Sequence, residues 1–563
     1  MALVAWISYR KTRGEVATKE GYFLAGRSLS AVFIAGSMLL TNLSSEQLIG
    51  LNGSAYGFNL SSMGWEVTAA FATICMAFIF LPRYLSGAFS TLPEFLTNRF
   101  DSDVRKMTVI LFMFGYGLVT IPSVLYSGSI AVLQLFDLPQ LLNLPYSWTL
   151  VITIWSIGLI GSIYAILGGL RAVVVSDTLN GIGLLLIGLL VPILGFSKLG
   201  NGNVLDGIGI ILNNHTEKLN AIGATTDPTP FGTLFTGMIF ANLFYWCTNQ
   251  YVIQRTLAAK SLAEGQKGVL LSGYFKVIVP FIMMIPGVIA FHLYSEAANG
   301  SGLTSIDLAY PQLIKDVLPV QFMGFFLAVL LGAVFSSFNS LVNSAATLFC
   351  IDIYIPFKKN KNNADIKDSQ LLKVAKYIGI LISIFSFIVA PLLQFAPSGL
   401  WQIIRIFTGF YNIPVIAIVI VGLFNKNVPA LGPKIIIIFH VLSYGLLQFV
   451  FKEHISIHFL HIYAILFFTE VCIMLLIGEL YPLDKPWKYN QNNRVSMDPW
   501  VYSIPTSVTL MSFVIIVYLL FSSIGVVNGL NNLFYILITF ILSFNLAIWG
   551  YWIKKNSYRM SSD

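Results

Sequence analysis

Charge is scarce in this chain: only 10% of its 563 residues are Asp, Glu, Lys or Arg, against about 25% in an ordinary soluble domain. That shortage excludes a molecule solvated mainly by water. Cysteine is also rare. The four present, Cys75, Cys247, Cys350 and Cys472, lie in or at the edges of apolar stretches, with no pair at a metal-ligand or redox spacing, and read as buried small hydrophobes. No nucleotide-binding loop, no His pair at metal spacing and no Gly-x-Ser-x-Gly elbow occurs, and no stretch resembles a soluble enzyme domain. An enzyme therefore has no constellation to work with.

Apolar residues make up 56% of the chain, and a membrane-crossing helix needs roughly 20 of them in a row. Fourteen such windows can be laid down, near 29–56, 60–82, 105–136, 148–167, 172–197, 231–256, 266–295, 318–351, 371–395, 398–424, 432–450, 458–480, 500–523 and 532–553. Residues 1–9 are apolar but too short to cross, and read as the remnant of an N-terminal span. The expected protein is an all-α, multi-pass membrane protein whose partner is the lipid bilayer. The net charge of +8 does not point to nucleic acid, because the basic residues are scattered between windows and not gathered on one face.

Their scatter sets the orientation. If the segment from Arg10 to Arg27 is cytoplasmic and connections alternate, inner segments collect 27 Lys and Arg, and outer ones only Lys198, Lys218, Lys315 and Lys452. Every loop then obeys the positive-inside rule, and the C-terminus is cytoplasmic in a cell membrane. The outer connections 198–230 and 296–317, rich in Gly, Asn, Asp and Thr, read as loops. The inner charge run from Lys358 to Lys373 reads as a solvated loop.

Polar residues interrupt two windows. Thr41-Asn42-Leu43-Ser44-Ser45-Glu46-Gln47 breaks the first, and Asn242 with Thr248-Asn249-Gln250 breaks the sixth. Non-helical backbone at membrane depth survives only where it lines a cavity or is buried in protein, and broken helices at matching places in two halves point to a transporter of inverted repeats with a midplane site. The alternative is a loop between two shorter spans. Lys276 and Arg405 are the two basic residues left inside windows, and Glu66 lies about two turns into its own; a charge there costs about 2.5–3.5 kcal/mol on insertion scales. Glu66 and Lys276 beside aromatics suit a polyhydroxylated solute, which needs donors, acceptors and faces for its C–H surfaces; a structural ion pair or a snorkelling lysine is the alternative. Ser336-Ser337 offers two hydroxyls at membrane depth, suitable for a hard cation or for simple backbone capping.

At these residues the sequence resembles the solute:sodium symporter family, the group that contains the sodium/glucose and sodium/galactose cotransporters. The likeness runs from Tyr22-Phe23-Leu24-Ala25-Gly26-Arg27 to about residue 425, through Asn42-Leu43-Ser44-Ser45-Glu46-Gln47, Gly168-Gly169-Leu170-Arg171-Ala172, the stretch from Asn249 to Lys260, and Ser336-Ser337. Phe244 to Gln250 is similar to uncharacterised bacterial members of the same branch. The resemblance implies a leucine-transporter-like core of five plus five inverted helices, with repeats over 29–197 and 231–424 and four accessory helices over 432–553.

It also implies a sodium ion, with no other cofactor, held by the carbonyls of Leu40, Leu43 and Ala333 and the hydroxyls of Ser336 and Ser337. A small hydrophilic, sugar-like solute would be held by Gln47, Glu66, Asn242 and Lys276 under Trp65 and Trp401, with Tyr245 as the inner gate. Asp177 matches an acidic residue on the sodium exit route, or is a helix-start charge. No obligate protein partner is implied. Three residues depart from the sugar transporters: Thr120 stands for an Asn, Ala69 for a Ser, and Arg405 for a sugar-facing Gln. A guanidinium at that depth wants a carboxylate, sulfate or phosphate, or pairs with Glu66 or Glu46, or snorkels about 10 Å to the outer end of its span. The solute class therefore stays open between neutral sugars and sugar acids, with another carboxylate, an amino acid or a vitamin behind them. A solute-binding sensor or a channel is the rival outside symport.

Overall fold

A computed structural model describes the backbone of residues 19–362, 367–395, 400–489, 491–492 and 494–560, and side chains at these except 19, 20, 22, 40, 41, 163–179, 359–362 and 557–560. The remnant at 1–9 lies outside the described residues. Among those described, every regular element is helical, and eleven helices are long and apolar enough to cross a membrane.

The remaining three windows are those that polar residues or incomplete description shorten. The first is split into α1 (Ala31–Asn42) and α2 (Ser45–Gly57). It is followed by α3 (Leu60–Ser86) and α4 (Ser102–Phe136). The fourth and fifth windows fall in one helical element, α5 (Tyr146–Leu199). Its two ends reach the same side of the protein, since Ser147 donates to Gln394 and Lys198 to the Asp316 carbonyl. A straight helix of that length would run about 80 Å at 1.5 Å per residue, so α5 is two antiparallel arms.

The sixth window is split into α7 (Gly237–Cys247) and α8 (Gln250–Leu257), after the short α6 (Val204–Asn213). Then come α9 (Leu262–Tyr294), the short α10 (Ala309–Val317), α11 (Val320–Lys358), α12 (Asp368–Phe395), α13 (Leu400–Phe424), α14 (Leu431–Val450), α15 (Phe459–Leu480), α16 (Ser503–Leu520) and α17 (Asn532–Asn556).

Three expectations need correction. The outer connections are not only loops: α6 and α10 lie in them, α6 started by Asn203, whose side chain accepts from the Leu205 amide at 3.0 Å. One face of each is buried, with Ile211, Leu313 and Ile314, while Leu205 and Leu212 of α6 are exposed. The inner charge run begins helical, since helix continues to Asn362. Cys472 is exposed, unlike the buried Cys247 and Cys350.

Burial separates core from periphery. Most of α9 and α11 is buried, whereas α17 is almost entirely exposed, as befits helices that face lipid. The accessory helices are nevertheless anchored to the core. His440 of α14 pairs with Glu470 of α15 at 2.5 Å, and its other ring nitrogen meets the Gly409 carbonyl of α13 at 3.0 Å.

Candidate functional site

The two breaks are made by residues that prefer helix ends to helix interiors. At the first, Leu43 and Ser44 leave helical geometry, Ser44 with φ −96° and ψ 171°. The Ser44 amide, which would close on the Leu40 carbonyl in a continuous helix, donates to Asn42 instead at 2.9 Å, and the Gln47 amide donates to Ser44 and not to Leu43. The Leu40 and Leu43 carbonyls are thus released from those amides. At the second break the Thr248 hydroxyl donates to the Phe244 carbonyl at 2.8 Å, ending α7, and the Asn249 side chain accepts from Tyr116 at 2.7 Å.

Between the breaks lies a small cavity walled by Asn42, Gln47, Trp65, Glu66, Asn242 and Lys276, with Tyr245, Trp246, Arg405 and Asn412 completing it. Its volume is about 20 Å³, room for about one water. Glu66 and Lys276 form an ion pair in the wall, Gln47 donates to the same carboxylate at 3.1 Å, and Asn242 donates to Thr68 at 2.9 Å. The Lys276 ammonium also lies 5.5 Å from the Trp246 ring.

Aromatics close both sides. Above, the Arg405 guanidinium is sandwiched 4.6 Å from the Trp65 ring and 3.9 Å from Trp401. Trp401 can lie there because the facing residue on α2 is Gly50, where a Cβ would come within 3.1 Å of it. Beyond Trp401 opens a vestibule of about 690 Å³, lined by Asp227, Asp307 and His458 among others. Below, Asn42 and Tyr251 both donate to the Tyr245 hydroxyl, at 2.8 and 2.7 Å.

Next to the first break, α11 packs against α1 and α2. Ala333, Ser336 and Ser337 are all buried on it, and the Ser337 hydroxyl has no hydrogen-bond partner among the described residues. An orphaned buried hydroxyl costs about 1–3 kcal/mol, which a cation ligated there would offset. Asp177 falls within α5, but its side chain is outside those described, as is that of Leu40.

A family model described as "Sodium:solute symporter family" matches residues 22–434. The chain belongs to the sodium:solute symporter family. Among similar proteins, the uncharacterized symporter YidK of Escherichia coli is 43% identical over 94% of this chain and 89% of its own. The sodium/glucose cotransporter of Vibrio parahaemolyticus is 32% identical over 76% of this chain and 79% of its own, and human sodium/myo-inositol cotransporter 2 is 29% identical over 76% and 64%. A solved sodium-coupled sialic acid symporter shares the fold at a TM-score of 0.73, over 87% of this chain and 97% of that one, at 20% identity. The symporter is a multi-pass membrane transporter, not an enzyme, with the leucine-transporter-like fold, and it couples a solute to sodium.

The sequence had singled out most of the cavity wall in this symporter. Asn42, Trp246 and Asn412 went unassigned, although Asn42 sits in the very run of polar residues that marked the break. Thr120 lies one layer away, with its hydroxyl 3.5 Å from that of Tyr411.

Proposed function

We propose that this symporter carries a small polyhydroxylated, sugar-like solute into the cell together with sodium, by alternating access. The observation that carries the reading is the single cavity shared by Gln47, Glu66, Asn242 and Lys276 between two broken helices. Amide, carboxylate and ammonium supply both donors and acceptors for hydroxyls, while Trp65 and Trp246 supply apolar faces. Relatives named for glucose and myo-inositol support the same class.

Sodium, bound by the carbonyls of Leu40, Leu43 and Ala333 and the hydroxyls of Ser336 and Ser337, pins α1 and α2 against α11. That binding energy favours the conformation in which the solute site is complete. Trp401 and Trp65 then close the outer path, Tyr245 withdraws, and both ligands leave inward, with Asp177 on the route of the ion. An inside-negative potential contributes about 2.3 kcal/mol per 100 mV for each positive charge moved. In this reading the repeats span 29–197 and 231–424, the helices over 432–553 are accessory, and the C-terminus is cytoplasmic.

Uptake by proteoliposomes under an inward sodium gradient, with a panel of labelled hexoses, inositols, sugar acids, amino acids and carboxylates, tests it. Accumulation of a polyhydroxylated compound only with the gradient is expected. Accumulation confined to amino acids or simple carboxylates refutes the solute class, and sodium-independent equilibration refutes coupled transport.

A further inference from the structure

The two cations inside the core spans have different fates. Lys276 is spoken for by Glu66, and Glu66 is further bonded by Gln47. Arg405 lines the same cavity and has no such partner. Among the described residues no carboxylate lies within ion-pair distance of it, and its Nε is buried without a hydrogen-bond acceptor. Glu46 is close enough to act on it through space but does not line the cavity. The two indole faces that hold the guanidinium attract its charge, yet they offer no acceptor for its five N–H donors.

A guanidinium that lies against two indoles and keeps an orphaned Nε has donors to spare among the described residues. Such a group suits a planar or tetrahedral oxyanion, which can take paired N–H donors. Arg405 meets Trp401, which also lines the vestibule, while Glu66 and Lys276 pair in the wall of the same cavity.

We propose that Arg405 is a specificity-determining residue that receives an oxyanion substituent of the solute, a carboxylate or a sulfate. The transported compound is then an acidic sugar and not a neutral one. The inference rests on the polyhydroxylated-solute reading and adds the charge to it. The sugar ring lies with its hydroxyls toward Gln47, Glu66, Asn242 and Lys276, and its anionic group points up into the Arg405 clamp.

The experiment is sodium-driven uptake in proteoliposomes, with glucuronate, galacturonate and a glucose sulfate set against glucose and galactose, in the native chain, R405Q and R405K. In the native chain the preferred acid is expected to show an apparent affinity about 10- to 100-fold above its neutral counterpart, the size of a charged hydrogen-bond interaction. R405Q should lose that ratio, by lowering apparent affinity for the acid far more than for its neutral counterpart. R405K should keep part of it, since an ammonium preserves charge but not the paired donors. The uronate and sulfate arms separate the two oxyanions.

Native preference for neutral sugars overturns the inference and leaves the polyhydroxylated reading standing. So does an acid-to-neutral ratio that R405Q and R405K leave unchanged. Failure of every sugar, charged or neutral, overturns both. A melting profile of each variant in detergent identifies one that fails to fold, in which case the native ratio and R405K decide.

Discussion

Asn42, at the end of α1, donates a hydrogen bond to the hydroxyl of Tyr245, near the end of α7, at 2.8 Å. The bond joins the two broken helices just before their breaks, and Tyr251 of α8 adds a second donor to the same oxygen at 2.7 Å. Both helices are therefore tied on one side of the cavity by one phenol. In the alternating-access reading proposed above, opening inward breaks this tie.

Replacing Tyr245 by Phe removes the shared acceptor and leaves the donors of Asn42 and Tyr251 unpaired. Losing bonds of this kind costs about 1–3 kcal/mol, here charged to the inward-closed state. Efflux of preloaded solute from proteoliposomes without a sodium gradient should rise several-fold, with sodium affinity nearly unchanged. Unaltered efflux would show that the phenol does not hold the inner path shut.

The breaks themselves were legible in the sequence because irregular backbone at membrane depth survives only where it lines a cavity or is buried in protein, although a loop between two shorter spans fitted the same residues. Glu66 and Lys276 were legible as costly charges at that depth. That they pair with one another stood only as one alternative, since they are 210 residues apart and spacing along the chain carries no information about contacts across helices. The clamp on Arg405 by Trp65 and Trp401 was hidden in the same way. Helices α6 and α10 were missed because Gly, Asn, Asp and Thr around them dominate the local composition, while their buried faces are only a few residues wide. The link of His440 to Glu470 needed the packing of α14 on α15, which no motif announces.

Lys276 and Glu66 are each about as buried as the hydrophobic core around them, at 1% and 2% exposure. Removing one member of such a pair strands the other charge, at about 3–5 kcal/mol. Glu66→Gln and Lys276→Met should each abolish uptake and lower the melting temperature in detergent. The double substitution should recover most of the stability and none of the transport. Recovery of transport in the double variant would reduce the pair to scaffolding.

His458 lies at the mouth of the vestibule and caps α15, its Nδ1 accepting from the Leu460 amide at 3.3 Å. Burial, with His461 nearby, holds its pKa down at about 4, from 6.5. The neutral ring is therefore the folded form, and the unfolded chain binds the extra proton between those values. Stability contributed by neutral His458 is complete above about pH 6.5 and is lost progressively as pH falls toward 4, at no more than about 1.4 kcal/mol per pH unit for one proton. Below that range the charged ring also opposes the positive end of the helix dipole. Melting temperature measured from pH 7 to 4 should fall less steeply in His458→Asn, which keeps an acceptor that does not titrate. Identical slopes would remove His458 from the account.

The proposed sodium site gives the sharpest test of coupling, because the Ser337 hydroxyl has no hydrogen-bond partner among the described residues. Ser337→Ala therefore removes the proposed cation ligand without breaking a hydrogen bond among the described residues, and relieves a small desolvation penalty in the ion-free protein. The expected result is a protein as stable as the parent or slightly more so when sodium is absent. Its sodium concentration for half-maximal uptake should rise about tenfold, the equivalent of about 1.4 kcal/mol. If sodium binding completes the solute site as proposed, apparent solute affinity should fall by a like factor at low sodium and return toward the parent value at saturating sodium, as reciprocal linkage demands. A solute affinity reduced equally at all sodium concentrations would mean that Ser337 acts on the solute pocket. Unchanged sodium dependence would move the ion elsewhere.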